Sequence, residues 1–489
     1  MGIDSSPSLL SKMKDKVVEM AKNVKKIGKD DPRRIMHCAK VGIALTLNSL
    51  LYYYNPLYDD FGQSGIWALL TVILVFEFTV GATLSKSLNR SFATLLAGAM
   101  GVGAKYLADL SGDKAEPVVL GLLVFILGAI LTFTRFIPGI KTKYDYGVVI
   151  FILTFSMVTV SGYRTEQIIQ FAHRRLSTVA IGGVTCILIS IFVFPAWAGE
   201  DLQNLIALNI EKLGRSLEGF GSAYFRLPEA EGEDSGCSKA LFPQDYKSAF
   251  NSKAYENSLA TCAGWEFGHG EFKFGHPWEQ YLKVGGLARE CASHLQALCG
   301  YLNAAADDDR KMQTLLSFKS KIQGPCTRMC SESSQALRDI SSAMKTMAQP
   351  SPEIQDHLRN SRAAINDLEV VFGSSSLSTT EMLFEIIPCA AVTSILIDIV
   401  NCVDKISKSV DELSEKAGFK KPKAKSPEAA EQPPQQQLLH RGIVTPVNED
   451  SPEAVTIDET PQDSPEFDNL QGATHEQKSQ ELITDVKTG

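Results

Sequence analysis

The chain has 489 residues, enough for two or three structural units. Its 44 % hydrophobic content is ordinary as an average, and its formal net charge of −8 has a local origin: residues 426–475 hold ten acids against Arg441 alone, a stretch of −9 that leaves the remainder at +1. No Walker loop, HExxH, GxSxG or strand-anchored Rossmann glycine pattern is present, which argues against the common enzyme classes and a nucleotide-driven pump. The ten cysteines form no CxxC pair, and Cys326 and Cys330 lack nearby histidines. Reduced thiols, no metal, no cofactor and no nucleic-acid partner are therefore expected.

The first block, residues 1–37, opens MGIDSS, which fits the myristoylation pattern with Gly2 as acceptor. Leu10, Met13, Val17, Met20, Val24 and Ile27 then recur at three- and four-residue intervals among seven lysines. This spacing predicts a basic amphipathic helix, suited to an anionic membrane surface or to a partner protein. The first apolar run starts only after this charged stretch, so no cleavable signal peptide is expected.

Six apolar spans follow, at about residues 38–54, 65–84, 91–110, 117–136, 146–162 and 176–194. Each is near the ~20 residues that a membrane helix needs. Basic residues cluster in the N-terminal block, after the second span (Lys86, Arg90) and after the fourth (Arg135, Lys141, Lys143), whereas residues 55–63 carry Asp59 and Asp60 and no base. The positive-inside rule then puts both chain ends in the cytosol.

The second span carries the most information. WALLTVILVFEFTVGATLSKSLNR (67–90) is an apolar run that ends in a basic turn, with Glu77 inside it. An acid at that depth costs roughly 2.5–3.5 kcal/mol on insertion scales, so Glu77 should face protein or water, paired with a base or holding a helix end, in a structural or gating role. Between spans five and six, on the nominally outer side, sit Arg164, His173, Arg174 and Arg175 with Glu166 as the only acid. Arg174 or Arg175 would face an aqueous interior, or would snorkel to headgroups. From residue 38 to 198 there are eleven Lys/Arg against eight Asp/Glu, a net +3 where charge is most expensive.

After Trp197 the pattern becomes that of soluble amphipathic helices, starting with Leu202, Leu205, Asn209, Leu213, Leu217 and Phe220 and continuing through residues 280–301, 308–347, 352–372 and 380–417. Residues 382–400 are apolar enough to resemble a seventh span. Glu385, Pro388 and Asp398 interrupt them, so a helix buried in a bundle is the reading adopted. Beyond residue 417 the composition of Pro, Gln, Ser and acid cannot support a core. Ser426, Thr445, Ser451, Thr460 and Ser464 each precede proline there and are candidate sites for proline-directed kinases. The expected organisation is an all-α membrane protein: a basic segment (1–37), a six-helix transmembrane domain (38–198), a cytosolic helical domain (199–417) and a disordered acidic tail (418–489).

The strings DPRRIMHCAKVGIAL (31–45), WALLTVILVFEFTVGATLSKSLNR (67–90) and SGYRTEQIIQFAHRR (161–175), with Trp265-Glu266 and FGHPWEQYLKVG (274–285), resemble the aluminium-activated malate transporter family of plant anion channels. The resemblance covers about residues 30–415. It implies a homodimer of six-span subunits, in membrane lipid, conducting malate and inorganic anions such as chloride, nitrate and sulfate. In the family, bases from several spans line the path, and the matching positions here are Lys40, Lys86, Arg90, Arg174 and Arg175. Anion pores use such bases to offset dehydration of the ion, and arginine suits a carboxylate. Ordinary positive-inside anchoring is the alternative for Lys86 and Arg90. Asp59, Asp60 and Glu166 would be oxygen ligands for an outer trivalent cation, as hard cations prefer.

One departure is visible: where the family usually shows Trp-Glu-Pro, this chain has Phe267 after Trp265-Glu266. A quick-activating, guard-cell-like channel of the plasma membrane is the favoured member type, with the vacuolar membrane as the alternative location. A proton-coupled organic-acid exporter and a membrane-anchored scaffold are the rival functions.

Overall fold

The computed structural model describes residues 9–54, 65–112, 114–162, 168–225, 245–305, 312–374 and 380–421. Contacts divide the chain into Met1–Ile443 and Val444–Gly489, and the second unit lies wholly outside the described residues. The described residues form fifteen helices and no strand beyond two isolated bridges.

Helix α1 (Leu9–Asp30) is the expected amphipathic element, with Met13, Val17, Met20 and Val24 all exposed. Asp31 ends it and caps α2 (Pro32–Tyr53), accepting the Arg33 amide at 3.0 Å, while Pro32 sets the first-turn φ. The second span is not one helix. It breaks into α3 (Ile66–Val75) and α4 (Val80–Asp109), with residues 76–79 non-helical. Thr79 caps α4 through the Ala82 amide, and the Thr83 hydroxyl donates to the Glu77 carbonyl while accepting the Glu77 amide at 3.0 Å. Non-helical backbone at membrane depth is tolerated only where protein or a polar cavity satisfies it, and here protein does so.

The expected basic turn after span two is therefore corrected: Lys86 and Arg90 lie within α4, which runs unbroken for 30 residues. That is about 45 Å of helix, and it places the two bases about 9 and 15 Å from the Val80 end. Small residues let α4 approach its neighbours closely. A Cβ on Gly101 would meet Val158 of α7 (Asp145–Gly162) at 2.7 Å, and Gly182 of α8 (Ile168–Phe192) would meet the Ala68 carbonyl of α3 at 2.7 Å. Helix α5 (Glu116–Thr134) has a mean hydropathy of 2.5 and only Leu120 fully buried, its other residues half-buried or exposed, as a lipid-facing helix should be. The short α6 (Pro138–Lys143) leads into α7, where Arg135 grips Asp145 with two bonds of 2.7 and 3.0 Å.

Among the described residues, three helices are long and apolar enough to cross a membrane: α5, the Ala172–Phe192 part of α8, and Ile387–Ala417. The third belongs to α15 (Thr380–Ala417), whose Val392, Leu396, Ile399, Val403 and Ile406 are buried in a helical bundle. Its apolarity serves that core, as the interrupting acids and proline suggested. The same core takes the stripe of Leu202, Ile206, Ile210, Leu213 and Leu217 from α9 (Ala198–Tyr224). After α10 (Tyr246–Phe250) and α11 (Lys253–Ala263) come α12 (Trp278–Ala305), α13 (Met312–Thr346) and α14 (Pro352–Ser374). The positions of α9 and α12–α15 agree with the expected ones to within a few residues, and α10 and α11 are additional to them.

Candidate functional site: a cationic file along helix α3

Charge in the N-terminal helices is sorted by pairing. Among the described residues from 38 to 198 there are four acids, and each is held by a base: Glu77 by Lys86, Asp109 and Glu116 by Lys105, and Asp145 by Arg135. The buried bases that remain, Lys40, Arg90 and Arg175, have no carboxylate partner among the described residues. They are 3 %, 2 % and 3 % exposed. A buried charge without a counter-charge is strongly unfavourable, so this arrangement is not one that stability alone would select.

These bases are ordered along α3. The Arg175 guanidinium of α8 lies over the Trp67 ring, 3.8 Å from its centroid. One turn further along α3, the Arg90 Nε of α4 donates to the Thr71 hydroxyl at 3.1 Å, and its Nη1 donates to the Tyr146 hydroxyl of α7 at 3.2 Å. Arg90 and Arg175 are close enough for their charges to oppose each other. Two polar atoms of Arg175, Nε and Nη1, have no partner among the described residues. Past the end of α3, Lys86 binds Glu77 and lies 5.7 Å from the centre of the Tyr146 ring. Tyr146 thus touches two of the bases. The neutral dipoles and ring faces of Trp67, Thr71 and Tyr146 moderate the positive field without cancelling it.

Lys40 sits on the α2 stripe Lys40, Ala44 and Asn48, all buried; Ala44 packs with Val72 of α3 and Cys186 of α8. Arg174, in contrast, is exposed, so the structure separates the adjacent pair and buries Arg175. Asp59, Asp60, Glu166, Gly2, Ser426, Thr445, Ser451, Thr460 and Ser464 lie outside the described residues.

Sequence reasoning missed Trp67, Thr71 and Tyr146, which carry no charge, and it gave no role to Glu266. That side chain lies between α11 and α12 and is 6 % exposed. Its Oε1 accepts the amides of Gly81 at 3.2 Å and Ala198 at 2.7 Å, and its Oε2 accepts that of Gly199 at 3.1 Å. One carboxylate therefore caps both α4 and α9, and α9 needs it because Trp197, at its N-cap position, makes no side-chain cap. Gly81 must be glycine: a Cβ there would meet the Cys262 carbonyl carbon at 2.8 Å and the Glu266 Cγ at 2.9 Å. Nearby, Arg33 of α2 binds Asp201 of α9 at 2.7 Å. Phe267, where proline was expected, packs edge-on against Trp197, ring centres 5.4 Å apart.

Apolar helices enclosing buried bases that lack carboxylate partners, joined to a helical bundle, suit a multi-pass membrane protein that handles anions. Comparison with known proteins agrees with that class. Residues 25–382 match the family described as aluminium activated malate transporter, and the chain belongs to that family. It is 47 % identical over 413 residues to aluminum-activated malate transporter 2 of Arabidopsis thaliana, covering 84 % of this chain and 81 % of the relative. It is 43 % identical over 448 residues to aluminum-activated malate transporter 7 of the same plant, covering 84 % and 87 %. Aluminum-activated malate transporter 1 of Triticum aestivum is 43 % identical over 418 residues, covering 85 % and 89 %. The family is one of transport proteins, not enzymes.

Proposed function

We propose that this protein is an anion channel that conducts malate and inorganic anions, including chloride, nitrate and sulfate, under control of voltage and malate. The observation that carries the reading is the pair Arg90 and Arg175, buried beside each other while every described acid in the same helices is bound elsewhere. An anion passing between them offsets their repulsion, and they offset its dehydration. The ring stack on Arg175 and the hydroxyl contacts on Arg90 limit the grip, which a conducting site requires.

Around this file we place six spans, with α3, residues 76–79 and the start of α4 serving as a broken second passage, both chain ends in the cytosol, and the bundle of α9–α15 beneath. Homodimers in the plasma membrane, quick activation and regulation by kinases acting on the tail complete the proposal. Charges held within the field supply voltage sensitivity.

Voltage-clamp recording in a heterologous cell tests it, with chloride exchanged for malate on each side. Reversal potentials that follow the anion gradients, and a conductance or selectivity changed by Arg175→Gln, are the expected result. Anion currents indifferent to Arg90 and Arg175 substitutions would move the path elsewhere. No current from folded, reconstituted protein would end the channel reading.

A further inference from the structure

The most unusual charged group outside the cationic file is Glu266. It joins two helix N-termini from different halves of the chain, and one of them, α4, carries Lys86 and Arg90. We propose that Glu266 is a proton-operated clamp: ionised, it holds the first turns of α4 and α9 together and keeps the file in its conducting arrangement, and protonated, it releases them. This rests on the channel reading and adds to it a positioning residue through which cytosolic pH acts.

The chemistry follows from the donors. A carboxylate accepts all three amides, Gly81 and Ala198 on Oε1 and Gly199 on Oε2. Protonation removes the charge that makes these three bonds strong, and a buried carboxyl that has lost its amides holds a proton more tightly still, so the proton favours release. Burial pushes the Glu266 carboxyl up to about 7, against the three amides that favour its charged form, and the Asp201 carboxylate adds to the rise. The clamp therefore titrates within the range that a cytosol explores.

The charged and titratable groups that face this clamp are few. From α9 come Asp201, bound to Arg33 at the start of α2, and Glu200, which acts on His269. Asp31 acts on Asp201 from the α1–α2 junction. From α11 comes Cys262, whose thiol also senses Glu77 and Lys86. Burial holds His269 below the usual histidine range, which disfavours its charged form.

The test uses the full-length protein in two measurements. In excised patches with the bundle side facing the bath, anion current at pH 6 should be roughly fivefold or more below that at pH 8, with a midpoint near 7. Glu266→Gln, which presents one acceptor and one donor as the protonated acid does, should give the low current at both pH values. Glu266→Asp should keep a pH step. Hydrogen exchange on the purified chain provides the second measurement: amides at residues 81, 198 and 199 should be less protected at pH 6 than at pH 8, relative to Glu266→Gln at the same pH. Identical pH profiles for wild type and Glu266→Gln in exchange would overturn the clamp. An exchange difference without any anion current at any pH would keep the clamp and reject the channel reading.

Discussion

The Arg90 guanidinium donates to the Tyr146 hydroxyl at 3.2 Å, and this bond ties the base buried in α4 to the first turn of α7. Tyr146 also presents its ring to Lys86, so one side chain sets the position of two bases. Tyr146→Phe keeps the ring and removes the hydroxyl. A hydrogen bond to a charged group is worth about 1.5–3 kcal/mol, so the Arg90 side chain should gain freedom while Lys86 stays in place. The half-saturating malate concentration, read from current against concentration, should shift by roughly fivefold. An unchanged value would mean that Thr71 alone positions Arg90.

Arg175 stacks on Trp67 as a flat cation. Lysine keeps the charge but loses the planar stack, so Arg175→Lys should retain current and change chloride-to-malate selectivity. Arg175→Gln should cut conductance for both anions. Reversal potentials under bi-ionic conditions separate the two outcomes. Equal effects of both substitutions would show that charge alone matters there.

Glu77 and Lys86 form a half-exposed ion pair, which on solvent-screening grounds contributes about 1 kcal/mol or less to stability. The effects on conduction should have opposite signs. Glu77→Gln unmasks a positive charge and should raise anion conductance; Lys86→Met unmasks a negative one and should lower it. Changes in the same direction would point to a structural role for the pair.

The contact of α3 with α8 depends on Gly182, where a Cβ would lie 2.7 Å from the Ala68 carbonyl oxygen and 2.9 Å from the Thr71 Cβ. Gly182→Ala should therefore destabilise the purified protein by about 1–3 kcal/mol, as overpacking does. Gly103, on α4 with nothing within 4 Å of such a Cβ, should tolerate alanine. Thermal melts in detergent compare the two. A neutral Gly182→Ala would show that α3 can shift freely.

His276 is buried beside Tyr281, its Nε2 3.2 Å from the phenol oxygen, and burial lowers its pKa to about 4. The unfolded chain takes up this proton near pH 6.5 and the folded chain only near 4. Stability linked to His276 is thus complete above pH 6.5 and declines as pH falls toward 4, by on the order of 3 kcal/mol. Glu266 acts in the opposite sense, since its raised pKa makes the folded state favour the proton between about 4.5 and 7. Denaturant titrations of His276→Gln between pH 4 and 7 should show the acid-side loss reduced. An unaltered slope would assign that loss to other groups.

Local pattern was enough to make much of the architecture legible. The stripe read from the sequence, Leu202, Leu205, Asn209, Leu213 and Leu217, marks a helix whose core face takes Leu202, Ile206, Ile210 and Leu213, and the 3.6-residue period is legible because each position answers to the same helix. The apolar residues 382–400 were readable as a buried helix for a related reason, since acid and proline interrupt them in ways a bundle tolerates better than lipid. The break at residues 76–79 was not legible, because Thr79 and Thr83 act as a cap and a brace only once α3 and α4 diverge. Nor was the choice between Arg174 and Arg175, adjacent in sequence and opposite in burial.

By itself, the sequence determined that this is a helical protein with cations retained among apolar spans, because composition and periodicity are properties of neighbouring residues. Only the tertiary structure decided which cations are left without a carboxylate partner and which are neutralised. Lys86 finds Glu77 and Lys105 finds Glu116, while Arg90 finds Thr71 and Tyr146, and Arg175 finds Trp67. Those pairings join residues as far apart as 67 and 175, and Coulomb energy depends on separation in space, which no local pattern encodes.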